Sequence, residues 1–288
     1  MIRSVGFFGI TGMVGKPVAQ ALLKAGFEVC ALTRSPEKVN SDQRLTLIKG
    51  DLKSDADVEK VVAGRDAIYV SLSVDQNERE NDWHTETDGM KNILATARRH
   101  NIKRIILLSS LVQRYQGMNG FHWWVFAVKE DCIRLIRESG IPYTIFYPST
   151  FMESFLGKYR QGSSIVIVGK SKSPMYYIAG SDYARQVVAS LQQDPADNKE
   201  YVVQGPEALT QEEAAKLFTR NYHKASLKIV SAPLALLKLV SPFSRQINYG
   251  AHIVEALTHY PEKFESETTW HDLGRPQVTL KEFAERSE

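Results

Sequence analysis

The clearest chemical motif in the chain is a run of regularly spaced glycines near the N-terminus, GFFGITGMVG. Gly6 falls inside an apolar strand and predicts close packing, whereas the later glycines fall where that strand ends, turns and becomes a helix. Glycines there let the backbone approach a pyrophosphate, and the helix N-terminus supplies free N–H groups. The spacing is GxxGxxG rather than GxGxxG, and a dinucleotide site is favoured over a tight turn without a ligand. The predicted contacts at this turn are Gly9, Thr11, Gly12, Met13, Val14 and Gly15.

The end of the second strand, CALTRSPEK, bears on which dinucleotide would bind. Nicotinamide proteins that use the unphosphorylated cofactor usually place Asp or Glu there for the ribose hydroxyls, whereas a 2′-phosphate calls for a cation. This chain has Thr33 and Arg34, with Lys38 a turn later and no acid in the critical place. Arg34 could hold the phosphate with two parallel hydrogen bonds, or be a solvated loop arginine. The pattern predicts NADP(H) in preference to NAD(H).

Lys129 lies in an apolar and aromatic stretch, HWWVFAVKED, which is an unusual setting for an ammonium group. On a helical wheel it falls about 40° from Val125, inside the apolar arc of its helix. A lysine at the edge of such an arc can simply extend its head group to water. Because the helix follows a strand ending in Ser109 and Ser110 in a dinucleotide-type pattern, we expect Lys129 to face a ligand. It could donate to the nicotinamide ribose hydroxyls, or serve as a proton donor or relay.

Two further residues are weaker candidates for proton donation. Tyr115 and His122 lie in the loop before that helix and could swing over a nicotinamide, although solvent-facing positions are equally compatible with the sequence. The neighbouring rings of Trp123 and Trp124 could form a wall for a flat substrate or a dimer contact, but aromatic residues at helical spacing are more often core. His84, at the start of the third predicted helix, is interpreted as a residue that caps or decorates that helix on the protein surface. No metal-ligand pattern or Ser-His-Asp arrangement emerges.

Short apolar runs alternate with amphipathic helical patterns through the first half of the chain. The predicted strands are residues 5–8, 28–32, 45–48, 67–72, 104–108 and 143–147. The predicted helices are residues 16–25, 55–62, 82–99 and 123–137. This alternation implies right-handed crossovers and a doubly wound parallel sheet, an α/β fold of the Rossmann type. Continuously apolar strands are expected when helices cover both faces.

The second half of the chain is less regular. Its predicted strands are residues 165–168, 175–178 and 201–203, and its predicted helices are 183–191, 211–220, 234–240, 247–257 and 280–285. We therefore predict a dinucleotide-binding domain at residues 1–155 and a smaller substrate lobe at 156–288, of which 175–204 return to the sheet. The lobe is expected over the carboxyl edge of the sheet, where such folds bind ligands.

Composition and charge set broad limits on function. The 288 residues are 43% hydrophobic and 24% charged, as in ordinary globular proteins. The formal charge of +3 comes without long runs of like charge, so no nucleic acid contact is expected. Cys30 and Cys132 match neither a metal site nor a disulfide framework, and the N-terminus lacks a signal-peptide layout. We expect a cytoplasmic monomer or homodimer with a small-molecule substrate and no membrane partner.

The chain resembles a family through several further segments. GITGMVG, ALTRSPEK, KGDL at 49–52, GMKNILATARRHNIKRIILLSS at 89–110 and VKEDCIRLIRESGIPYTIFYPSTFMESF at 128–155 are similar to atypical short-chain dehydrogenases/reductases of the NmrA-like group. That group also resembles quinone and triphenylmethane reductases. The resemblance implies cofactor contacts near the adenine, at the fourth strand, near the nicotinamide and around its far end. The implied residues are Asp51, Leu52, Ser71, Leu72, Ser73, Ser109, Ser110, Tyr147, Pro148, Ser149 and Phe151.

The departures from the family pattern leave two functions open. Ordinary short-chain enzymes place a tyrosine acid one helical turn before the lysine, and this chain has Val125 there. Tyr147 likewise stands where the family often has arginine. One hypothesis is an NADPH-dependent reductase that passes hydride to a flat electrophile such as a quinone or enone. The other is a non-catalytic NADP(H)-sensing regulatory or interaction protein of the NmrA type; sugar-nucleotide epimerisation is disfavoured because it normally uses the missing tyrosine.

Overall fold

The strands alternate with helices as the sequence predicts, in a computed structural model that describes residues 2–194 and 196–287. The first six strands are β1 (Ser4–Phe8), β2 (Glu28–Thr33), β3 (Leu45–Lys49), β4 (Ala67–Val70), β5 (Arg104–Leu108) and β6 (Tyr143–Pro148). The later strands are β7 (Arg160–Gln161), β8 (Ser164–Val168), β9 (Met175–Tyr176), β10 (Lys199–Val203), β11 (Ala208–Leu209) and β12 (Lys228–Ala232).

The helices before β7 are the crossovers between the first strands: α1 (Gly15–Lys24), α2 (Asp55–Val62), α3 (Asp88–Arg99) and α4 (Trp124–Arg137). The later helices are α5 (Gly180–Leu191), α6 (Gln211–Asn221), α7 (Leu234–Val240), α8 (Arg245–His259), α9 (Glu267–Leu273) and α10 (Leu280–Arg286). Short 3-10 turns connect several of these elements, including Leu111–Tyr115 and Ser241–Phe243.

The central sheet has the strand order β10-β6-β5-β4-β1-β2-β3, and every neighbouring pair in it is parallel. The predicted doubly wound, Rossmann-type α/β fold is therefore confirmed. The direction of winding reverses between β1 and β4, and ligands of such sheets bind outside the carboxyl ends of the strands at this switch point. The glycine-rich turn leaves β1 at that place.

Alternating side chains of each strand enter two different cores, because successive residues of a strand point to opposite faces. Phe7 packs with α1 and α5 in one core, and Phe8 packs with α2, α3 and α4 in the other. Strands β1 and β4 are buried along their whole length for this reason, whereas the edge strands β3 and β10 retain exposed residues such as Thr46 and Glu200.

The chain beyond β6 builds the layer above the carboxyl edge. A three-stranded sheet of order β12-β8-β7 packs on α6, while α8 lies beside the loop between β5 and α4. Strand β10 leaves this region and pairs in parallel with β6 at the edge of the central sheet. Among the residues that the structure describes, no helix is long and apolar enough to cross a membrane.

Several boundaries differ from the sequence prediction. The third crossover helix begins at Asp88 rather than at residue 82, because the chain before it is drawn into a turn by buried hydrogen bonds. Strand β4 ends at Val70 rather than at 72, and β9 is only two residues long. Strand β12 and helix α9 were not predicted, since β12 is mostly exposed and α9 is a short polar segment.

Candidate functional site

The turn after β1 can be built only with glycine at two of its positions. Gly9 has a positive φ of 100°, and a Cβ there would lie 2.1 Å from the carbonyl oxygen of Ser71. A Cβ on Gly15 would lie 2.0 Å from the carbonyl oxygen of Gly9. The turn is closed by the Gly12 N–H, which donates to the Gly9 oxygen at 3.1 Å. Gly6 instead packs against α2, as predicted, with Val61 O 3.1 Å from where its Cβ would be.

The N-terminus of α1 opens directly onto this turn. No side chain caps it, and its first turn contains no acidic residue. The Lys16 N–H donates to the Gly12 oxygen at 3.3 Å and Pro17 has no N–H, so the positive end of the helix dipole is what favours an anion here. The Val14 side chain is buried in the core and the Met13 side chain is exposed. A ligand in the turn would therefore meet the backbone of Val14 and not its side chain. Side chains at Gly9 and Gly15 would collide with backbone oxygens of the protein, so these glycines permit the tight turn that brings the N-terminus of α1 to the end of β1, where folds of this type bind a pyrophosphate.

A cleft of about 320 Å³ runs from this turn across the ends of β1 to β4. It is lined by Phe8, Gly9, Thr11, Leu32, Thr33, Arg34, Ser35, Lys38, Gly50, Asp51, Leu52, Leu72 and Thr85. Residues identified from the glycine motif, from the end of β2 and from the family resemblance thus line one surface. The exposed Ser73 and the half-buried Ser71 follow β4 at the rim of the same region.

The charges of the cleft are concentrated at the end of β2. Arg34 and Lys38 are both exposed there, and the Thr33 hydroxyl accepts a hydrogen bond from the Ser35 N–H at 3.1 Å. The carboxylate of Asp51 accepts from the Lys53 N–H at 2.9 Å, which fixes it against its own loop. Arg34 and Lys38 both line the cleft at the end of β2, whereas the exposed Glu37 between them is not among its lining residues.

Beyond β4 the predicted residues occupy the ends of β5 and β6. The Ser109 hydroxyl donates to Gln113 Oε1 at 3.1 Å, and Ser110 begins a 3-10 turn. The Ser149 hydroxyl donates to Glu262 Oε2 at 2.9 Å. Burial raises the pKa of the Glu262 carboxyl, although hydrogen bonds from Gln204 and Ser149 oppose the shift.

Two predicted residues at β6 are engaged with the protein itself. The Tyr147 hydroxyl donates to Glu200 Oε2 at 2.9 Å on edge strand β10, so that its polar group is directed away from the end of β5. Phe151 packs edge-on against Tyr183 with ring centroids 5.5 Å apart, and it bridges to Ile178. Pro148 is the last residue of β6 and lies between Tyr147 and Phe151 in the sequence. Contacts of these residues with a ligand would therefore come from their backbone or ring edges.

Lys129 faces inward from α4, as the helical wheel predicts, and forms an ion pair with Glu86. Its Nζ lies 2.5 Å from Glu86 Oε1, and the two side chains are only 14% and 6% exposed. The other oxygen, Oε2, accepts from the Val74 N–H at 3.0 Å. Burial disfavours the ammonium, but the facing carboxylate outweighs it and raises the pKa of Lys129. Glu86 thus connects α4 to the loop that follows β4.

The position one turn before Lys129 cannot supply a proton. Val125 is 1% exposed and packs with Trp123 and Phe126. Trp123 is buried in this cluster, but with Trp124 it also lines a separate cavity of about 230 Å³ beside α8. Tyr115 is buried beside Phe121 and its hydroxyl accepts from Asn119 Nδ2 at 3.3 Å.

His122 and Trp124 occupy different environments at the start of α4. His122 is exposed, whereas the half-buried Trp124 stacks on His84 with ring centroids 5.0 Å apart. The sequence interpretation of His84 as a surface residue is wrong. Its ring is buried, with Nδ1 2.7 Å from Glu78 Oε2 and Nε2 3.0 Å from the carbonyl oxygen of Glu80. Neither Glu86 nor the pairing of His84 has a sequence signal, since both lie in a loop without periodicity.

Comparisons with known proteins agree with this geometry. A family model described as NAD(P)H-binding matches residues 9–194. The photosystem II assembly factor Ycf39 of Trieres chinensis is 24% identical over 255 residues, which cover 86% of this chain and 78% of that protein. The (4-alkanoyl-5-oxo-2,5-dihydrofuran-3-yl)methyl phosphate reductase of Streptomyces griseus is 26% identical over 215 residues, covering 74% and 71%.

A solved structure shares the fold over nearly the whole chain. The NADPH-dependent quinone oxidoreductase of Escherichia coli, solved with NADPH, superposes with a TM-score of 0.73 at 18% identity and covers 97% of this chain and 98% of its own. At that identity the likeness concerns the fold alone.

Proposed function

Because the chain belongs to the NAD(P)H-binding family, in its atypical short-chain dehydrogenase/reductase, NmrA-like branch, we propose that it is an NADP(H)-dependent reductase. Its acceptor is a flat electrophile such as a quinone or an enone. The observation that carries the proposal is one continuous cleft at the switch point. The glycine turn, Arg34 and Thr85 line this cleft, and Glu86, which follows Thr85 in the chain, pairs with the buried Lys129.

The preference for NADP(H) rests on the charges at the end of β2. A 2′-phosphate needs a cation within hydrogen-bonding reach, and Arg34 offers a planar pair of donors for it. An NAD(H) site would need a carboxylate for the ribose hydroxyls, and the end of β2 has Thr33 there. Lys38 adds a second positive charge to the same end of the cleft.

The protein's own contribution to the reaction is positioning and electrostatics. When bound, the nicotinamide supplies the hydride. The Lys129 ammonium donates to the ribose hydroxyls, and Glu86 holds that ammonium charged and in place. An acceptor that becomes a resonance-stabilised anion requires little help from a protein acid, which suits a helix with Val125 in the acid position.

The relatives named above support two different hypotheses, a reductase and a non-catalytic NADP(H)-binding protein. The Streptomyces relative is named for the reduction of a dihydrofuranone phosphate, a flat conjugated ring, which supports the enone class. The Ycf39 relatives are named as assembly factors, and together with Val125 they favour the second function, a protein that binds NADP(H) and turns nothing over. Cys30 and Cys132 are buried and free, which suits the predicted cytoplasmic location.

The test is NADPH consumption with a panel of quinones, enones and aldehydes. We expect turnover with at least one flat acceptor, and its loss in Lys129→Met with NADPH binding also weakened. The matched control is Lys91→Met, an exposed lysine of α3, which should leave both unchanged. Tight NADPH binding without turnover across the panel would contradict the reductase and support the sensor.

A further inference from the structure

The surface formed by residues 230–243 exposes far more apolar side chain than the rest of the protein; we call it the β12–α7 surface. Seven large hydrophobic side chains are exposed among the described residues, and five of them lie within it. They are Val230, Leu236, Leu239, Val240 and Phe243. Leu239 is 71% exposed and Phe243 is 89% exposed, so both project beyond the surrounding surface. Scattered exposed leucines are ordinary, but a contiguous patch of this kind marks an interaction site.

Helix α7, with the sequence LALLKLV, carries apolar side chains on both of its faces, and Lys238 is its one charged residue. Leu234 and Leu237 are half-buried on the side that meets α8, while Leu236 and Leu239 point to solvent. A helix that is apolar all round is normally buried in a core or in lipid. The apolar outer face of α7 is therefore exposed to solvent, whereas such a face is normally packed against another surface.

The chain segment that carries this surface is rich in basic residues, although Lys238 is paired with Glu255 of α8 at 2.7 Å. From residue 214 to residue 254 the chain contains no Asp or Glu. The basic residues of that segment are Lys216, Arg220, Lys224, Lys228, Lys238 and Arg245. The whole chain has a formal charge of only +3, so the remainder carries an excess of acidic residues. On β12 the exposed Lys228 and Val230 share one face, which puts a cation directly beside the apolar patch.

We propose that the β12–α7 surface docks reversibly on an anionic lipid bilayer. Apolar side chains inserted at the boundary of headgroups and acyl chains, with cations level with the lipid phosphates, are the combination that holds proteins on such surfaces. A second copy of the chain is disfavoured, because a two-fold contact would place this cationic segment against itself. Docking of this kind needs no membrane-spanning helix, and it does not depend on the proposed reductase activity. It differs from the prediction, made from the sequence, that the protein has no membrane partner.

The experiment is sedimentation of the full-length protein with lipid vesicles. We expect binding to vesicles made of an equal mixture of phosphatidylcholine and phosphatidylglycerol, little binding to pure phosphatidylcholine, and release by salt. The double variant Leu239→Ser/Phe243→Ser should lower the partition coefficient by about tenfold or more. The double variant Lys224→Glu/Lys228→Glu should lower it by at least about 25-fold, since each lost cation removes about fivefold and each new carboxylate is repelled by the anionic surface.

Two controls separate docking from general effects. Leu156→Ser removes an exposed apolar side chain outside the surface, and Lys24→Glu reverses an exposed charge on α1; neither should change vesicle binding. Circular dichroism should show all variants folded, because the altered side chains are exposed. Absence of binding to anionic vesicles, or binding unchanged in both surface variants, would overturn the proposal. Sedimentation velocity showing a dimer that Leu239→Ser/Phe243→Ser dissociates would assign the surface to a second copy instead.

Discussion

Lys129 and Glu86 form a buried ion pair, with Nζ and Oε1 2.5 Å apart, at the point where α4 passes the loop after β4. The second oxygen of Glu86 accepts the Val74 N–H, so a single carboxylate fixes both the lysine and the loop. A buried ammonium and a buried carboxylate are each costly alone and tolerable together. The orientation of the lysine is therefore set by a residue far away in the sequence.

The first prediction concerns the stability of this pair. Glu86→Gln leaves the Lys129 ammonium with a neutral partner, so the free energy of unfolding should fall by about 2–4 kcal/mol. The double variant Glu86→Gln/Lys129→Met should recover part of that loss, because no buried charge remains. Urea denaturation measures both. Asp131→Asn breaks the exposed pair with Arg134 on α4 and should cost less than about 1 kcal/mol. A double variant as unstable as the sum of the single variants would show that the two residues are not coupled.

The second prediction is a pH dependence due to His84. Burial disfavours the imidazolium, but the hydrogen bond to Glu78 outweighs it, and the pKa of His84 is raised from its ordinary 6.5. A group with a raised folded pKa contributes stability that is fully present below the unfolded pKa and is lost as pH rises through the folded pKa. The stability difference between wild type and His84→Gln should therefore be largest below about pH 6.5 and shrink at higher pH.

Urea denaturation at a series of pH values measures that difference for His84. His122→Gln is the matched control, since His122 is an exposed histidine at the start of the same helix region. Its difference from wild type should not follow the same pH course. A difference for His84→Gln that stays constant with pH would mean that the Glu78 contact does not depend on protonation.

The third prediction tests the choice of cofactor. Arg34→Ala removes the guanidinium at the end of β2, and charge-assisted hydrogen bonds contribute about 1.5–3 kcal/mol. NADPH binding should weaken by roughly 10-fold to 100-fold, while NADH binding changes little. Isothermal titration calorimetry with both cofactors gives the two dissociation constants. Arg44→Ala, an exposed arginine outside the cleft, is the control. Equal binding of NADPH and NADH by wild type would contradict the NADP(H) proposal.

The sequence predicts those parts of the site that follow from chain order and local period. The glycine turn, Arg34 and the serines after β5 each come directly after an apolar strand, and parallel strands bring their carboxyl ends to one edge. The inward direction of Lys129 follows from the helical period alone. The resemblance to NmrA-like proteins, stated from residue segments, is confirmed by the NAD(P)H-binding match.

The parts that the sequence does not predict depend on contacts between distant segments. Glu86 lies 43 residues from Lys129, and nothing in its own loop distinguishes it from a surface carboxylate. His84 is likewise defined by the fold of its loop around Glu78. The same contacts explain why α3 starts late, since a helix through these residues would turn their side chains away from α4. Tertiary packing decides which side chains lie next to a buried charge. The periodic pattern of apolar residues in the sequence does not contain this information.

The last prediction concerns the position where short-chain enzymes carry their tyrosine acid. Val125→Tyr should destabilise the protein instead of creating a carbonyl reductase. Val125 is 1% exposed and is enclosed by Trp123 and Phe126, so a phenol ring would overpack the cluster by about 1–3 kcal/mol. Val230→Tyr makes the same substitution at an exposed site of β12 and should change the free energy of unfolding by less than about 0.5 kcal/mol. Urea denaturation and NADPH oxidation with aldehydes measure the two effects. A stable Val125→Tyr protein that gains aldehyde reduction would show that α4 retains room for the tyrosine, and that its loss alone removed the usual chemistry.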